Sequence, residues 1–209
     1  MVRNRKSYLD VLKGIGAILV VLGHLVCYDG KIKIYIYSFH MPLFFFISGY
    51  LFKFNSNLSE FIRKKFKRLM VPYFIYTIIS MIVVFSIDGI TISKREIFYN
   101  FFFIKGSNYW NSSLWFLVVM FFVLILFNFL IYFKKRYSIN LNKQYLFFFI
   151  LLLLVSIILV TFNVKLIFGL EIVPHALLIF YIGYLFRKYD KYVKKVCLKL
   201  NINKKVKFI

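Results

Sequence analysis

Asp10, Lys13 and His24 punctuate the otherwise apolar stretch from Tyr8 to Cys27. An α-helix turns 100° and rises about 1.5 Å per residue, so the eleven steps from Lys13 to His24 return nearly to the starting azimuth roughly 16 Å further on. Asp10 falls on that stripe too. Gly14, Ala17 and Val21 lie between them, small or modest side chains that let another helix or a substrate come close. Ionisable groups at membrane depth are costly and usually functional, and a helix with one polar seam turns it toward protein or water. An enzyme would use such a seam for histidine catalysis, whereas a transporter would use it as a proton relay.

His40 is the second imidazole of interest. With the amino terminus inside, the first span runs outward and the second returns, which places His24 and His40 in one layer, about 3 Å apart in depth. A core histidine bonded to a backbone carbonyl is the plain alternative for each, weaker for His24 because Lys13 and Asp10 share its stripe. His175, beside Pro174 and one turn from Glu171, is read as structural. No Gly-rich phosphate loop, zinc-ligand cluster, nucleophile elbow or paired-carboxylate pattern occurs, so no metal site is expected. If the chain is an enzyme, histidine is its best catalytic candidate.

These residues must be carried by membrane helices. The 209 residues are 62% hydrophobic and include 28 Phe and 16 Tyr, more apolar surface than a soluble domain of this length can hide. A bilayer core takes roughly 20 helical residues. Six stretches fit: Tyr8 to Cys27, Ile34 to Phe52, Leu69 to Ile87, Leu114 to Phe133, Tyr145 to Phe162 and Leu166 to Phe186. The net charge of +22 comes from 29 Lys and Arg against 7 Asp and Glu. The basic residues fall between apolar segments as orienting charges, which argues against nucleic acid as a partner. Of the 29, 22 lie in the segments 1–7, 53–68, 134–143 and 187–209, six lie in the intervening loops, and Lys13 is the last. By the positive-inside rule both termini are cytoplasmic.

The expected fold is therefore all-α, a polytopic membrane helical bundle of about six transmembrane helices. Residues 1–186 form the transmembrane domain and residues 187–209 a basic tail, read as an interfacial helix. The run from Phe61 to Leu69 sets basic residues around a few apolar ones, as in a short helix at the headgroup surface. It suits an anionic-lipid anchor or a site for a polyanionic cofactor equally well. The loop from Asp88 to Ser113 is the longest extracytoplasmic piece and a candidate acceptor contact. Cys27 and Cys197 are read as free thiols, and no cleavable signal peptide is expected.

Tyr8-Leu9-Asp10-Val11-Leu12-Lys13-Gly14-Ile15-Gly16 leading to Val21-Leu22-Gly23-His24, followed by Ser38-Phe39-His40-Met41-Pro42-Leu43-Phe44-Phe45-Phe46-Ile47-Ser48-Gly49-Tyr50, resembles acyltransferase family 3, the integral-membrane O-acyltransferases, especially the fucose O-acetylase-like branch. Lys13 and His24 match the family's basic residue, ten intervening residues and histidine. Lys65 and Arg68 before Pro72 look like its cytoplasmic basic pair, with Lys where Arg is more usual at the first position. Leu114-Trp115-Phe116-Leu117 and Phe180-Tyr181-Ile182-Gly183-Tyr184-Leu185 look like later spans. Members are generally longer, so the resemblance implies an amino-terminal portion of such an enzyme.

The resemblance implies transfer of an acyl group, commonly acetyl, from cytoplasmic acetyl-CoA to a sugar hydroxyl of a cell-surface glycan, by a multi-pass protein of the cell membrane. Lys65 and Arg68, with Arg63 and Lys64, would hold the CoA phosphates. Lys13 would orient the thioester and Asp10 would position Lys13. His24 would be the general base, an imidazole of reference pKa near 6.5 being suited to that role, or would form an acyl-histidine. His40 would orient His24 or the acceptor. Two readings stand beside this one: a non-enzymatic transporter component, weakened by the lack of inverted halves, and an inactive fragment.

Overall fold

The computed structural model describes residues 7–25, 31–88, 112–137 and 142–199. Every regular element among them is helical: α1 (Ser7–Leu25), α2 (Lys31–Leu51), α3 (Leu58–Lys65), α4 (Val71–Asp88), α5 (Trp115–Arg136), α6 (Asn142–Thr161) and α7 (Val173–Lys199). Five stretches are long and apolar enough to cross a bilayer, in α1, α2, the α3–α4 segment, α5 and the segment leading through α7, and α6 adds the shorter apolar stretch Ile150–Thr161. The chain is a multi-pass helical membrane protein. It divides into two compact units, Met1–Phe52 with Ile179–Ile209, and Lys53–Leu178.

In the first unit α1 packs on α2 through glycines at heptad spacing. A Cβ on Gly16 would lie 3.0 Å from the Phe44 ring, and one on Gly23 would lie 3.0 Å from Ile36 and 3.3 Å from the Tyr37 ring. Later residues of α1 meet earlier residues of α2, so the two helices are antiparallel. A third close approach joins α2 to α7: a Cβ on Gly49 would fall 1.8 Å from the Phe180 carbonyl oxygen, and one on Gly183 would fall 2.0 Å from that of Phe46. Only hydrogen fits there, and the backbones touch. Polar ties finish this unit: the Tyr8 and Tyr50 hydroxyls are 2.8 Å apart, Tyr50 donates to Asp190 Oδ2 at 2.6 Å, and Arg187 Nη1 donates to the Phe52 carbonyl at 2.6 Å.

The second unit is built on a continuous helix from Leu58 to Asp88, with a π turn at Phe66–Met70 joining α3 to α4. Pro72 explains the wide turn. Proline has no N–H to donate to the Arg68 carbonyl, and its ring would strike that oxygen in a regular α-helix. Widening the turn lets the preceding Val71 N–H bond Phe66 O instead. Met70 and Tyr73 pack against Leu114, Val118 and Phe121 in a buried cluster, and the Phe66 ring meets the Phe121 ring at 5.9 Å.

Three expectations change. The Phe61–Leu69 run is not a separate short helix: it continues without a break through the π turn into α4. The helix expected from Leu166 starts at Val173, because Phe168 (φ 60°) and Gly169 (φ 68°) are left-handed and break the path before it. Past that break α7 runs on through Arg187 to Lys199, so the start of the tail is part of α7. Cys27, residues 89–111 of the long loop and the last ten residues of the tail lie outside the described residues.

Candidate functional site

The α1 seam sits beside the face that packs on α2. Leu9, Gly16 and Gly23 are buried, whereas Gly14, Ala17, Val21 and His24 are exposed. A Cβ on Gly14 would meet nothing within 4 Å among the described residues. The close contact with α2 uses Gly16 and Gly23, while the Gly14, Ala17, Val21 stripe, expected to let another helix or a substrate come close, is exposed among the described residues. One turn apart, Lys13 Nζ and Asp10 Oδ1 are 3.7 Å from each other with both side chains partly exposed, an orienting contact that contributes little stability.

His24 and His40 meet through Tyr37. The Tyr37 hydroxyl is 3.5 Å from His24 Nδ1, and the two rings are edge to face at 5.9 Å. On its other side Tyr37 lies edge to face with His40 at 5.2 Å. His40 is 2% exposed, and its Nδ1 bonds the Ile36 carbonyl one turn back. A carbonyl only accepts, so Nδ1 is the donor in this bond. His40 thus has the backbone bond of a core histidine, while His24 stands at the open edge of the seam.

The second group is a basic pocket in the unit 53–178. A cavity of about 320 Å³ is lined by the cations Lys53, Lys64, Lys65 and Arg68, with Phe54, Asn55 and Phe61 as its other walls. Lys65 Nζ stands 5.2 Å from the Phe61 ring centroid. Lys64 is paired with Glu60 at 2.6 Å. Asn57 caps α3, its side chain accepting from Glu60 N at 3.0 Å, so the first turn that leads to these cations is fixed.

Of the four cations expected to form an anion site, the structure gathers Lys64, Lys65 and Arg68 in one cavity and leaves Arg63 exposed outside its lining. Lys53, Phe54, Asn55 and Phe61 are additions, as is Tyr37 beside the histidines. Lys53 had a signal, being the first basic residue of the same segment. Tyr37 had one as well, lying three residues before His40 and thus on its face of the helix. His175 is exposed, and neighbouring Glu171 is buried with Oε2 accepting from Leu166 N at 3.1 Å across the left-handed break, a structural task. Among the described residues no group of three or more His, Cys, Asp or Glu is placed to hold a metal ion.

Residues 6–202 match the family model of acyltransferase family 3, described as an acyltransferase domain. No curated protein and no solved structure matches the chain.

Proposed function

This chain belongs to acyltransferase family 3, and on that premise we propose that it carries an acyl group, acetyl in the simplest case, from cytoplasmic acyl-CoA to a hydroxyl of a cell-surface or exported glycan. The observation that carries the reading is the α1 seam: a lysine and an imidazole three turns apart on one helix, bordering a stripe of small residues that is exposed among the described residues. A chain with both termini in the cytoplasm would set Lys13 toward the donor side of the cell membrane and His24 toward the acceptor side.

In this reading Lys64, Lys65 and Arg68 bind the phosphates of the donor, with Arg63 contributing from outside the cavity. Lys13, steadied by Asp10, orients the thioester carbonyl. His24 takes the proton of the acceptor hydroxyl as its oxygen attacks the acyl carbon. The C–S bond breaks, the C–O bond forms, and CoA leaves as a thiolate that collects a proton from solvent. His40, bound to the backbone and packed on Tyr37, keeps Tyr37 against His24.

The test is transfer of label from acetyl-CoA to surface glycan by membranes containing the full chain. Transfer that disappears in His24→Ala while the protein still inserts supports the proposal. A wild-type chain that leaves the glycan unlabelled, or a His24→Ala chain as active as wild type, removes it.

A further inference from the structure

Asn128 is fully buried in the apolar run of α5, 0% exposed, six residues before the basic end at Lys134 and so about 9 Å into the run. Both ends of its side-chain amide are used, and both partners belong to one residue. Oδ1 accepts from Asn55 N at 3.1 Å, and Nδ2 donates to Asn55 O at 3.1 Å. Asn55 lies in the non-helical link between α2 and α3. A main-chain N–H and C=O at that depth would cost several kcal/mol if left unpaired.

From Asn55 the bonds continue toward the basic pocket. Its Oδ1 accepts from Asn57 N at 2.9 Å, its Nδ2 donates to Glu60 Oε2 at 3.4 Å, and Glu60 pairs with Lys64 at 2.6 Å. Asn55 is itself a wall of the cavity that holds Lys64, Lys65 and Arg68. Beside it, the Phe54 ring is held under Lys135 Nζ of α5, 4.2 Å from the ring centroid. The link is thus fastened to α5 at two neighbouring residues, by a salt-insensitive amide pair and by a cation over a ring.

We propose that Asn128 is a positioning residue for the acyl donor: by clamping the main chain of Asn55 to α5 it holds the wall of the phosphate pocket in its binding shape, without touching the donor. This rests on reading that pocket as the acyl-CoA site. An apolar side chain of equal size would fill the space in α5 as well. Only a short group with a donor and an acceptor side by side can bond the N–H and C=O of one residue, and a carboxylic acid does so only while protonated.

The experiment measures CoA binding to the full chain in lipid nanodiscs, with KM and kcat for acetyl-CoA alongside. Asn128→Leu is expected to weaken CoA binding and raise KM about tenfold, the effect of losing two hydrogen bonds, with kcat within about twofold of wild type. Thr77→Val removes a comparable buried bond, Thr77 Oγ1 to Tyr73 O at 2.7 Å, and should leave KM unchanged. Asn128→Asp should bind CoA poorly at neutral pH and regain affinity toward about pH 5 as the buried carboxyl takes up a proton. That recovery is read on binding, because acid also protonates the proposed base. It decides the matter even if Asn128→Leu fails to fold.

Unchanged CoA affinity in a folded Asn128→Leu chain overturns the inference, as does a kcat loss without a KM change, or an Asn128→Asp chain with no acid recovery. A wild-type chain that does not bind CoA removes the reading of the pocket instead, and the inference with it.

Discussion

The hydroxyl of Tyr37 stands 3.5 Å from Nδ1 of His24. A base that takes a proton through Nε2 must carry its other hydrogen on Nδ1, and a phenol oxygen is an acceptor for that hydrogen. In the proposed reaction the imidazolium would then be stabilised from the side away from the acceptor. Replacing His24 with Ala should lower transfer by at least about 100-fold, the usual range for loss of a general base. Insertion should be unaffected, since the exposed ring fills no core space.

Tyr37→Phe separates the oxygen from the ring. The edge contact with His40 and the approach to Gly23 remain, and only the bond to His24 is lost. The expected result is a kcat reduced about three- to tenfold, the effect of one weak hydrogen bond, with KM for acetyl-CoA unchanged. A KM rise with constant kcat would place Tyr37 in donor binding and contradict this role.

Glycine positions give a prediction of stability with opposite outcomes on neighbouring helices. Gly49→Ala and Gly183→Ala each drive a Cβ into a carbonyl oxygen, 1.8 Å from Phe180 O and 2.0 Å from Phe46 O. Backbone cannot yield as a side-chain tip does, so each should cost about 2–4 kcal/mol or prevent assembly. Gly14→Ala meets open space and adds helix propensity, so it should be neutral or gain up to about 1 kcal/mol. Thermal unfolding in one detergent compares all three. Equal loss in every variant would contradict the close contact of α2 with α7.

How far these features are legible in the sequence depends on the range of each signal. Span number and the Lys13–His24 seam follow from local period and length, and the helices form close to where those place them. Gly16 and Gly23 were legible too, as a heptad with Leu9, but the Gly14 stripe offered an equally small surface and no local rule chose between them. Tyr37 is one of 16 tyrosines, so its type alone carried little weight. Asn128 bonds a residue 73 positions away, and nothing local announces the partner. The Phe61–Leu69 run has the same apolar period whether it stands alone or continues into the next helix; its packing on α5 and the π turn before Pro72 are not local signals.

Lys65 and Arg68 yield a prediction about charge. Both line the cavity, and a cation is what holds a phosphate. Lys65→Ala and Arg68→Ala should each weaken CoA binding about tenfold, the effect of about 1.4 kcal/mol. Lys65→Arg keeps the positive charge and should lose less than Lys65→Ala. CoA affinity unchanged in both alanine variants would place the phosphates elsewhere.

Pro72 sets local helix quality against the pocket. Pro72→Ala restores an N–H that can bond the Arg68 carbonyl and removes the ring that forces the wide turn. The expected product is a regular α-helix from α3 into α4, with unfolding temperature equal to or above wild type. Closing a π turn also rotates the helix before it relative to the helix after it. Lys65 stands just before that turn and Arg68 within it, so the change shifts one relative to the other. Their shared cavity should open, raising KM for acetyl-CoA by about tenfold or more, the effect of about 1.4 kcal/mol of lost binding. Stability kept and donor affinity lost is the signature of a strained turn retained for binding; if both fall together, Pro72 serves the fold alone.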